Sequence, residues 1–229
     1  SPLVNIQRVS DWTVFLWGSA RHKSQQEVDR DLAYEMAVEL SQGGNLRSYL
    51  VKLEGDFGIL VWNDKKRLLF FATDPIGMMK VYYGEGQGRI VISSHAHLVA
   101  RKLGNLIVSS EGLSILFSLK GIPAPYTVFQ GISVLKPSEL LTFTKDSKKS
   151  EGYWPILDRT IPFQGSFEDA QIELCRLLES SLLSIASKNQ EPLGLSLSSG
   201  VDSALIAKLM LEAGIKTHAF TVGYDPPTR

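Results

Sequence analysis

The sequence predicts a two-part chain, an α+β domain rich in β-strands followed by the start of an α/β domain with a parallel sheet. Two observations carry this. From Thr13 to Thr144, short β-rich runs alternate with Gly, Asn and Asp turns, with two helical patterns among them. From Ser166 onward the order becomes helix, strand, loop, helix, strand. Between them, Lys145-Asp146-Ser147-Lys148-Lys149-Ser150-Glu151 is charged and polar, and Pro155 and Pro162 punctuate the next segment of the chain, as in a linker. The expected domains are residues 1–155 and 160–229.

In order along the chain, strands are expected at Thr13–Trp17, Phe57–Trp62, Leu68–Thr73, Val81–Tyr83, Arg89–Ser93 and Leu140–Thr144, with helices in Glu27–Ser41 and Ser110–Leu119. Ser166 has the form of an N-cap, with Asp169 three residues later, ahead of the periodic apolar residues Leu174, Leu177, Leu178, Leu182 and Ile185. Pro192 to Leu197 has strand length. Val201 to Ala213 repeats apolar residues at helical spacing and stops at Gly214, which suits the position after a helix end. Thr217 to Tyr224 is the next strand.

Composition excludes more than it selects. The 229 residues balance 24 basic against 24 acidic side chains, so there is no electrostatic footprint for nucleic acid or an acidic membrane, and neither is expected as a partner. A single cysteine, Cys175, cannot form an intramolecular disulfide. With no signal-peptide pattern and no long apolar run, the expectation is a cytoplasmic, soluble protein.

The most informative stretch is Leu195-Ser196-Leu197-Ser198-Ser199-Gly200-Val201-Asp202-Ser203, where an apolar strand runs into a Ser/Gly turn and then opens a helix. Small side chains let backbone N–H groups approach an anion, and the helix N-terminus adds unpaired donors and the positive end of a dipole. Asp202 is the odd member. A carboxylate beside phosphates repels them unless a divalent cation lies between, which argues for Mg²⁺. The G-x-x-x-x-G-K-[ST] pattern of the common P-loop is absent.

Ser198-Ser199-Gly200-Val201-Asp202-Ser203 resembles the pyrophosphatase loop, S-G-G-x-D-S, of enzymes that cleave ATP between the α and β phosphates, with Ser199 where Gly is usual. Other segments extend the likeness. Leu53-Glu54-Gly55-Asp56-Phe57-Gly58-Ile59-Leu60-Val61-Trp62, then Asp74-Pro75-Ile76-Gly77 and Val81-Tyr82-Tyr83, resemble L-x-G-x-F-A-x-x-L-W-D and R-D-x-x-G-x-x-P-L-Y-Y of the asparagine synthetase family. Ser93-Ser94, Thr127-Val128-Phe129-Gln130-Gly131-Ile132, Leu135-Lys136-Pro137 and Tyr153-Trp154 match that family's S-S-E, T-L-F-x-G-I, L-P-P-G and Y-W in the same order and spacing.

The resemblance implies a degenerate, Ntn-glutaminase-like first domain of layered β-sheets with helices, then a truncated ATP-pyrophosphatase domain of the adenine nucleotide α-hydrolase type. It implies ATP and Mg²⁺ as cofactors. Leu197 and Val222 would hold adenine through backbone groups; Ser198, Ser199, Gly200, Asp202 and Ser203 would face phosphates and metal, with Asp202 the metal ligand. The implied activity is ATP-dependent amide-bond formation through an acyl-AMP, on a small-molecule or peptide carboxylate.

Departures refine the expectation. The family's glutaminases begin with a Cys whose α-amino group acts as base, whereas this chain begins Ser1-Pro2-Leu3, and no R-H-R-G-P or N-G-E segment occurs; Trp17-Gly18-Ser19-Ala20-Arg21 stands where N-G-E would fall. That points to a domain without glutaminase activity. It also resembles relatives that close a ring with an amine of the substrate itself, the β-lactam and carbapenam synthetases and lasso-peptide cyclases. The chain stops at Arg229, before the helical region that carries the family's second acidic segment. The expected partner is therefore a C-terminal synthetase portion or a second copy of the chain, with little turnover from residues 1–229 alone. A non-catalytic ATP-binding relative is the alternative; an enzyme acting on tRNA is disfavoured by the missing basic stripe and Cys pair.

Other eye-catching residues have plainer readings. His95 and His97 are a turn feature, since zinc wants three or four ligands. Asp74-Pro75 is hairpin-turn chemistry. Trp12, Trp17, Trp62 and Trp154 are packing residues, and Cys175 a buried small hydrophobe.

Overall fold

The computed structural model describes residues 4–23, 31–154, 161–187 and 192–223. Ser1, the expected helix start at Glu27, Pro155 of the expected linker and the strand end at Tyr224 lie outside the described residues. The chain divides into two compact units, Ser1–Thr160 and Ile161–Arg229.

The first unit runs β1 (Val4–Val9), β2 (Trp12–Gly18), β3 (Arg21–His22), α1 (Leu32–Ser41), α2 (Leu46–Leu50), β4 (Leu53–Glu54), β5 (Phe57–Asn63), β6 (Leu68–Thr73), β7 (Tyr82–Gly86), β8 (Arg89–Ser93), α3 (Ala96–Leu103), α4 (Ser110–Leu119), β9 (Ile132–Val134), β10 (Glu139–Phe143) and β11 (Lys148–Gly152). It is the α+β unit of layered antiparallel sheets that the sequence predicts. One sheet has the order β1-β2-β5-β6-β10-β11, a second the order β8-β7-β9, and β3 pairs with β4.

Side-chain alternation builds the layers. On one face of the six-stranded sheet, Val14, Leu16, Phe57, Ile59, Val61 and Ala72 pack with Met36, Ala37 and Leu40 of α1 and with Leu50 of α2. On the other, Leu60, Leu69, Phe71, Leu141 and Phe143 meet Tyr83, Ile90 and Ile92 of the three-stranded sheet. Phe71 lies at the centre, stacked on Phe143 at 5.5 Å and edge-on to Tyr83 at 5.3 Å between ring centroids. The far side of the small sheet is closed by Val99, Ala100 and Leu103 of α3 against Ile132 and Val91. The order is helices, sheet, sheet, helix.

Two carboxylates organise this unit. Asp31 caps α1 by accepting from Tyr34 N at 3.0 Å, and it ties that helix to β1 by accepting from the Asn5 and Gln7 side-chain amides at 2.7 and 2.5 Å. Asp74 is fully buried and accepts backbone N–H bonds from Ile76, Met78 and Met79 at 3.1, 3.0 and 2.8 Å. Its role is structural, as expected, but the turn is no hairpin, because β6 and β7 belong to different sheets. Beside it the buried Tyr153 hydroxyl donates to the Thr73 carbonyl at 2.6 Å.

The expected linker is corrected. Lys148–Gly152 is β11, paired in register with β10 from Glu139↔Gly152 to Phe143↔Lys148. An edge strand pairs on one side only, and charges on it discourage further pairing, so its composition mimics a linker. The histidines are also placed more definitely than a turn: His95 is the residue before α3 and His97 lies in its first turn. Trp12 is buried and stacks on Phe70, and Trp17, Trp62 and Trp154 are half-buried.

The second unit runs α5 (Phe167–Ala186), β12 (Leu193–Ser196), α6 (Val201–Glu212) and β13 (Thr217–Phe220). Ser166 and Asp169 form the expected capping box on α5. The two strands pair in parallel, Leu193↔Thr217 through Ser196↔Phe220, with α6 as the connection between them. Cys175 is exposed, not buried, and none of the 20 residues of α5 is buried. An amphipathic pattern creates the preference for burial but not the surface that satisfies it. No helix among the described residues is long and apolar enough to cross a membrane.

Burial, and secondarily the Asp74 charge, hold the Tyr153 hydroxyl well above its ordinary pKa; burial with Glu35 and Glu39 does the same to Tyr49. A raised folded-state value means the neutral tyrosine stabilises the fold fully below about pH 10, and that contribution is lost as pH rises beyond it. Melting temperature is therefore expected to fall above about pH 10. Tyr153→Phe should flatten that fall while costing about 1–3 kcal/mol at neutral pH, measured by denaturant titration, because it removes a buried hydrogen bond.

Candidate functional site

The predicted loop lies at the carboxyl end of β12. Leu197 continues the strand pairing, its N–H bonded to the Phe220 carbonyl at 2.8 Å, and Ser198 and Ser199 then turn the chain into Gly200, the residue before α6. Val222 comes two residues after β13, so the parallel pairing puts it beyond the same strand ends, with its side chain exposed. All seven predicted residues thus fall at one end of the strand pair, where open α/β sheets bind ligands.

Ser203, in the first turn of α6, closes the loop. Its hydroxyl accepts from Ser198 N at 3.1 Å and lies 3.2 Å from the Ser198 carbonyl and 3.1 Å from that of Gly200, with one proton to share between them. Ser198 Oγ sits 3.0 Å from Ser203 Oγ and accepts from Gly200 N at 3.1 Å. The S-x-x-x-x-S spacing does not announce this internal use of hydroxyls that the sequence assigns to phosphates.

Gly200 is extended, at φ −82°, ψ 151°, and no side chain caps α6. The donors of the first turn therefore keep their ability to meet an anion. Asp202 is exposed in that first turn, and its carboxylate takes part in no hydrogen bond or ion pair among the described residues. No group of three or more His, Cys, Asp or Glu that could hold a metal occurs among the described residues. A lone carboxylate beside open backbone donors suits Mg²⁺ that arrives with phosphates and keeps water ligands. No residue of the loop has positive φ, so Ser199 occupies its position without left-handed strain.

The region that stands for N-G-E in the first unit is tightly closed. Ser19 N bonds to the Asp56 carbonyl at 2.6 Å. Gly18 and Gly55 both have φ near +97°, and a Cβ on either would come within 2.1 Å of a carbonyl oxygen, of Asp56 and Ser19 respectively. The Trp17 indole covers Gly58 so closely that a Cβ there would lie 2.2 Å from it. Arg21 is ion-paired with Glu54 at 3.0 Å. A cleft of about 240 Å³ lies beside this closure, with Lys23 Nζ 3.7 Å from the Trp154 ring centroid on its wall.

Comparison with known proteins agrees with this division. A family model described as the glutamine amidotransferase domain matches residues 34–154, and the asparagine synthase model matches residues 174–229. The chain belongs to the asparagine synthetase family. Two Bacillus subtilis proteins named asparagine synthetase [glutamine-hydrolyzing], numbers 1 and 3, are 24% and 28% identical over 180 residues. Each alignment covers 76% of this chain, and 27% and 29% of the relatives, so the chain spans less than a third of their length. A solved glutamine phosphoribosylpyrophosphate amidotransferase from B. subtilis, complexed with ADP and GMP, is 14% identical with a TM-score of 0.41, over 96% of this chain and 48% of that one. That likeness is too distant to add to the assignment.

Ser203→Ala should loosen the loop while leaving α6 folded. Loss of one hydrogen bond of about 1 kcal/mol corresponds to roughly fivefold faster exchange of the Ser198 amide. Hydrogen exchange read by mass spectrometry would show it; protection unchanged from wild type would mean that the hydroxyl does not hold the loop.

Proposed function

We propose that this chain carries the nucleotide-binding end of an ATP-dependent, amide-bond-forming ligase that activates a carboxylate as an acyl-AMP and releases pyrophosphate. The observation that carries this reading is Asp202 in the first turn of an uncapped helix, behind the Ser198-Ser199-Gly200 turn and beside the end of a parallel strand pair. The asparagine synthase match over residues 174–229 supports it.

In this reading the backbone at Leu197 and Val222 grips adenine, and the N–H groups around Ser199, Gly200 and Val201 receive phosphate oxygens. Asp202 holds Mg²⁺, which offsets the negative charge of the departing pyrophosphate. Ser198 and Ser203 exchange their mutual hydrogen bonds for bonds to phosphate as ATP arrives. The chain's work is to orient the α-phosphate for attack by the carboxylate and to supply preorganised donors where charge develops.

The first unit, on the same proposal, does not hydrolyse glutamine. Its N-G-E counterpart, Trp17-Gly18-Ser19-Ala20-Arg21, holds neither asparagine nor glutamate, and its backbone is bonded to the residue before β5 through Ser19 N and the Asp56 carbonyl. The amine that attacks the acyl-AMP is then free ammonia or an amine of the substrate itself. The loss of those side chains favours the second, ring-closing reading, because that chemistry needs no ammonia source.

Calorimetric titration of a non-hydrolysable ATP analogue with Mg²⁺ tests the nucleotide site. Binding should weaken at least about tenfold, some 1.4 kcal/mol, in Asp202→Asn. Equal affinity in both proteins would remove Asp202 from the metal role. Incubation with glutamine should release no ammonia, and steady glutamine hydrolysis would overturn the reading of the first unit.

A further inference from the structure

We propose that one end of the six-stranded sheet is a docking surface for an acidic peptide segment of a partner protein. This goes beyond the nucleotide chemistry and does not depend on it. Register brings the turns of that end together: Val9 pairs with Trp12, Trp12 with Asn63, Asn63 with Leu68, Leu69 with Phe143, and Phe143 with Lys148. The turns at 10–11, 64–67 and 144–147 therefore follow one another along a single edge. The β7–β8 turn joins them: Lys148 is ion-paired with Glu85 at 2.7 Å, and a groove of about 470 Å³ is lined by Gly88 and Arg89 from one turn and by Lys145 and Ser147 from the other. Charge follows the same division. Lys65, Lys66, Arg67, Arg89 and Lys145 are exposed there and enter no ion pair among the described residues, whereas Asp11 and Asp146 are the carboxylates of these turns left unpaired. A chain with 24 basic and 24 acidic side chains thus has a basic end that its net charge conceals.

The cations are held in place. Asp64 N donates to the Asp11 carbonyl at 3.0 Å and the Asp64 carboxylate is paired with Arg8 at 3.3 Å, which ties the first turn to the second. The Arg67 guanidinium lies 5.6 Å from the Trp62 ring centroid and the Lys66 ammonium 5.8 Å from that of Trp12, so these side chains have less freedom to lose when a partner binds. Successive hairpins are two strands apart, which makes the row about 20 Å long, the span of about six residues of extended chain. The chemistry selects a peptide over other polyanions. Trp12 is buried and stacked on Phe70, and Trp62 is half-buried with Arg67 over its ring, so neither offers a platform to a nucleic-acid base. Asp11, Asp64, Glu85 and Asp146 are interspersed with the cations. A nucleic acid, charged at every phosphate, meets them as repulsion, while a peptide sets its carboxylates against the cations and its N–H groups against the aspartates. No large apolar side chain occupies the turns, so they offer a membrane nothing to insert.

The test uses the whole 229-residue chain and a fluorescein-labelled peptide of alternating glutamate and serine, about six residues long, read by fluorescence anisotropy. Binding is expected with a Kd below about 100 µM in low salt, weakening at least about tenfold as salt rises from about 50 to about 300 mM. Lys65→Glu combined with Lys145→Glu should weaken it at least about tenfold with the circular dichroism spectrum retained, since both side chains are exposed and unpaired. Lys52→Glu combined with Lys136→Glu, the same change in net charge away from these turns, should leave the affinity within about twofold. The same peptide with glutamine for glutamate should not bind, an arm that needs no variant. No binding at about 1 mM protein, an equal loss in both double variants, binding of the glutamine peptide, or tighter binding of a thymidine oligonucleotide or of phosphatidylserine vesicles would each overturn the proposal.

Discussion

The rest of the first unit depends on one constraint: the central strands of the six-stranded sheet are covered on both faces. A sheet with one wet face alternates apolar and polar residues, but Leu68-Leu69-Phe70-Phe71-Ala72 is apolar throughout, because Leu68, Phe70 and Ala72 face α1 while Leu69 and Phe71 face the second sheet. Covering both faces forces the chain to supply a helix pair on one side and a second sheet on the other. The connections that pass between layers then need polar anchors inside the protein. Asp74 is such an anchor: it turns the chain from the large sheet to the small one, and its buried carboxylate is satisfied by three backbone N–H groups, of Ile76, Met78 and Met79.

The second unit answers to a different constraint. Two parallel strands need a crossover, and α6 supplies it, so the strand ends and the helix N-terminus are brought together by connectivity alone. The nucleotide chemistry proposed there requires only small residues in the turn and one carboxylate in the first helical turn. That economy explains why six residues carry so much of the functional reading. It also explains why Ser198 and Ser203 can bond to one another at no cost in fold, since both lie at the tip of a framework fixed by β12, β13 and α6.

Legibility follows apolar density, periodicity and capping. β6, β8 and α4 have the boundaries their sequence pattern predicts, and the Ser166–Asp169 box forms as its spacing requires. What escaped was marginal in the sequence for physical reasons. β1 alternates Val4, Ile6 with Asn5, Gln7 at a sheet edge, and β11 is made of Lys, Ser and Glu, so neither has the apolar density of an interior strand. α3 follows His95, which provides no side-chain cap, and spans eight residues, too short for a period to stand out. Cys175 is exposed although its helical pattern suggests burial, because periodicity reports which face prefers burial, not whether another element reaches it.

Two serines that stand where the family favours glycine show how differently one substitution can act. Ser138 comes after Pro137, at the glycine of the L-P-P-G segment, and has φ +55°, the left-handed conformation that costs a side-chain-bearing residue about 1–2 kcal/mol. It is held there from three sides: its N–H donates to the Asp74 carbonyl at 3.0 Å, its carbonyl accepts from Tyr153 at 2.9 Å, and its hydroxyl donates to the Trp154 carbonyl at 2.9 Å. That last bond, which glycine cannot make, offsets most of the strain at about 0.5–1.5 kcal/mol. Ser199 meets no such demand, because its turn stays outside the left-handed region. In the first case glycine serves backbone conformation and serine has found a compensating bond. In the second, on the proposed reading, the position has only to supply a small group beside an anion, and serine does so without left-handed strain.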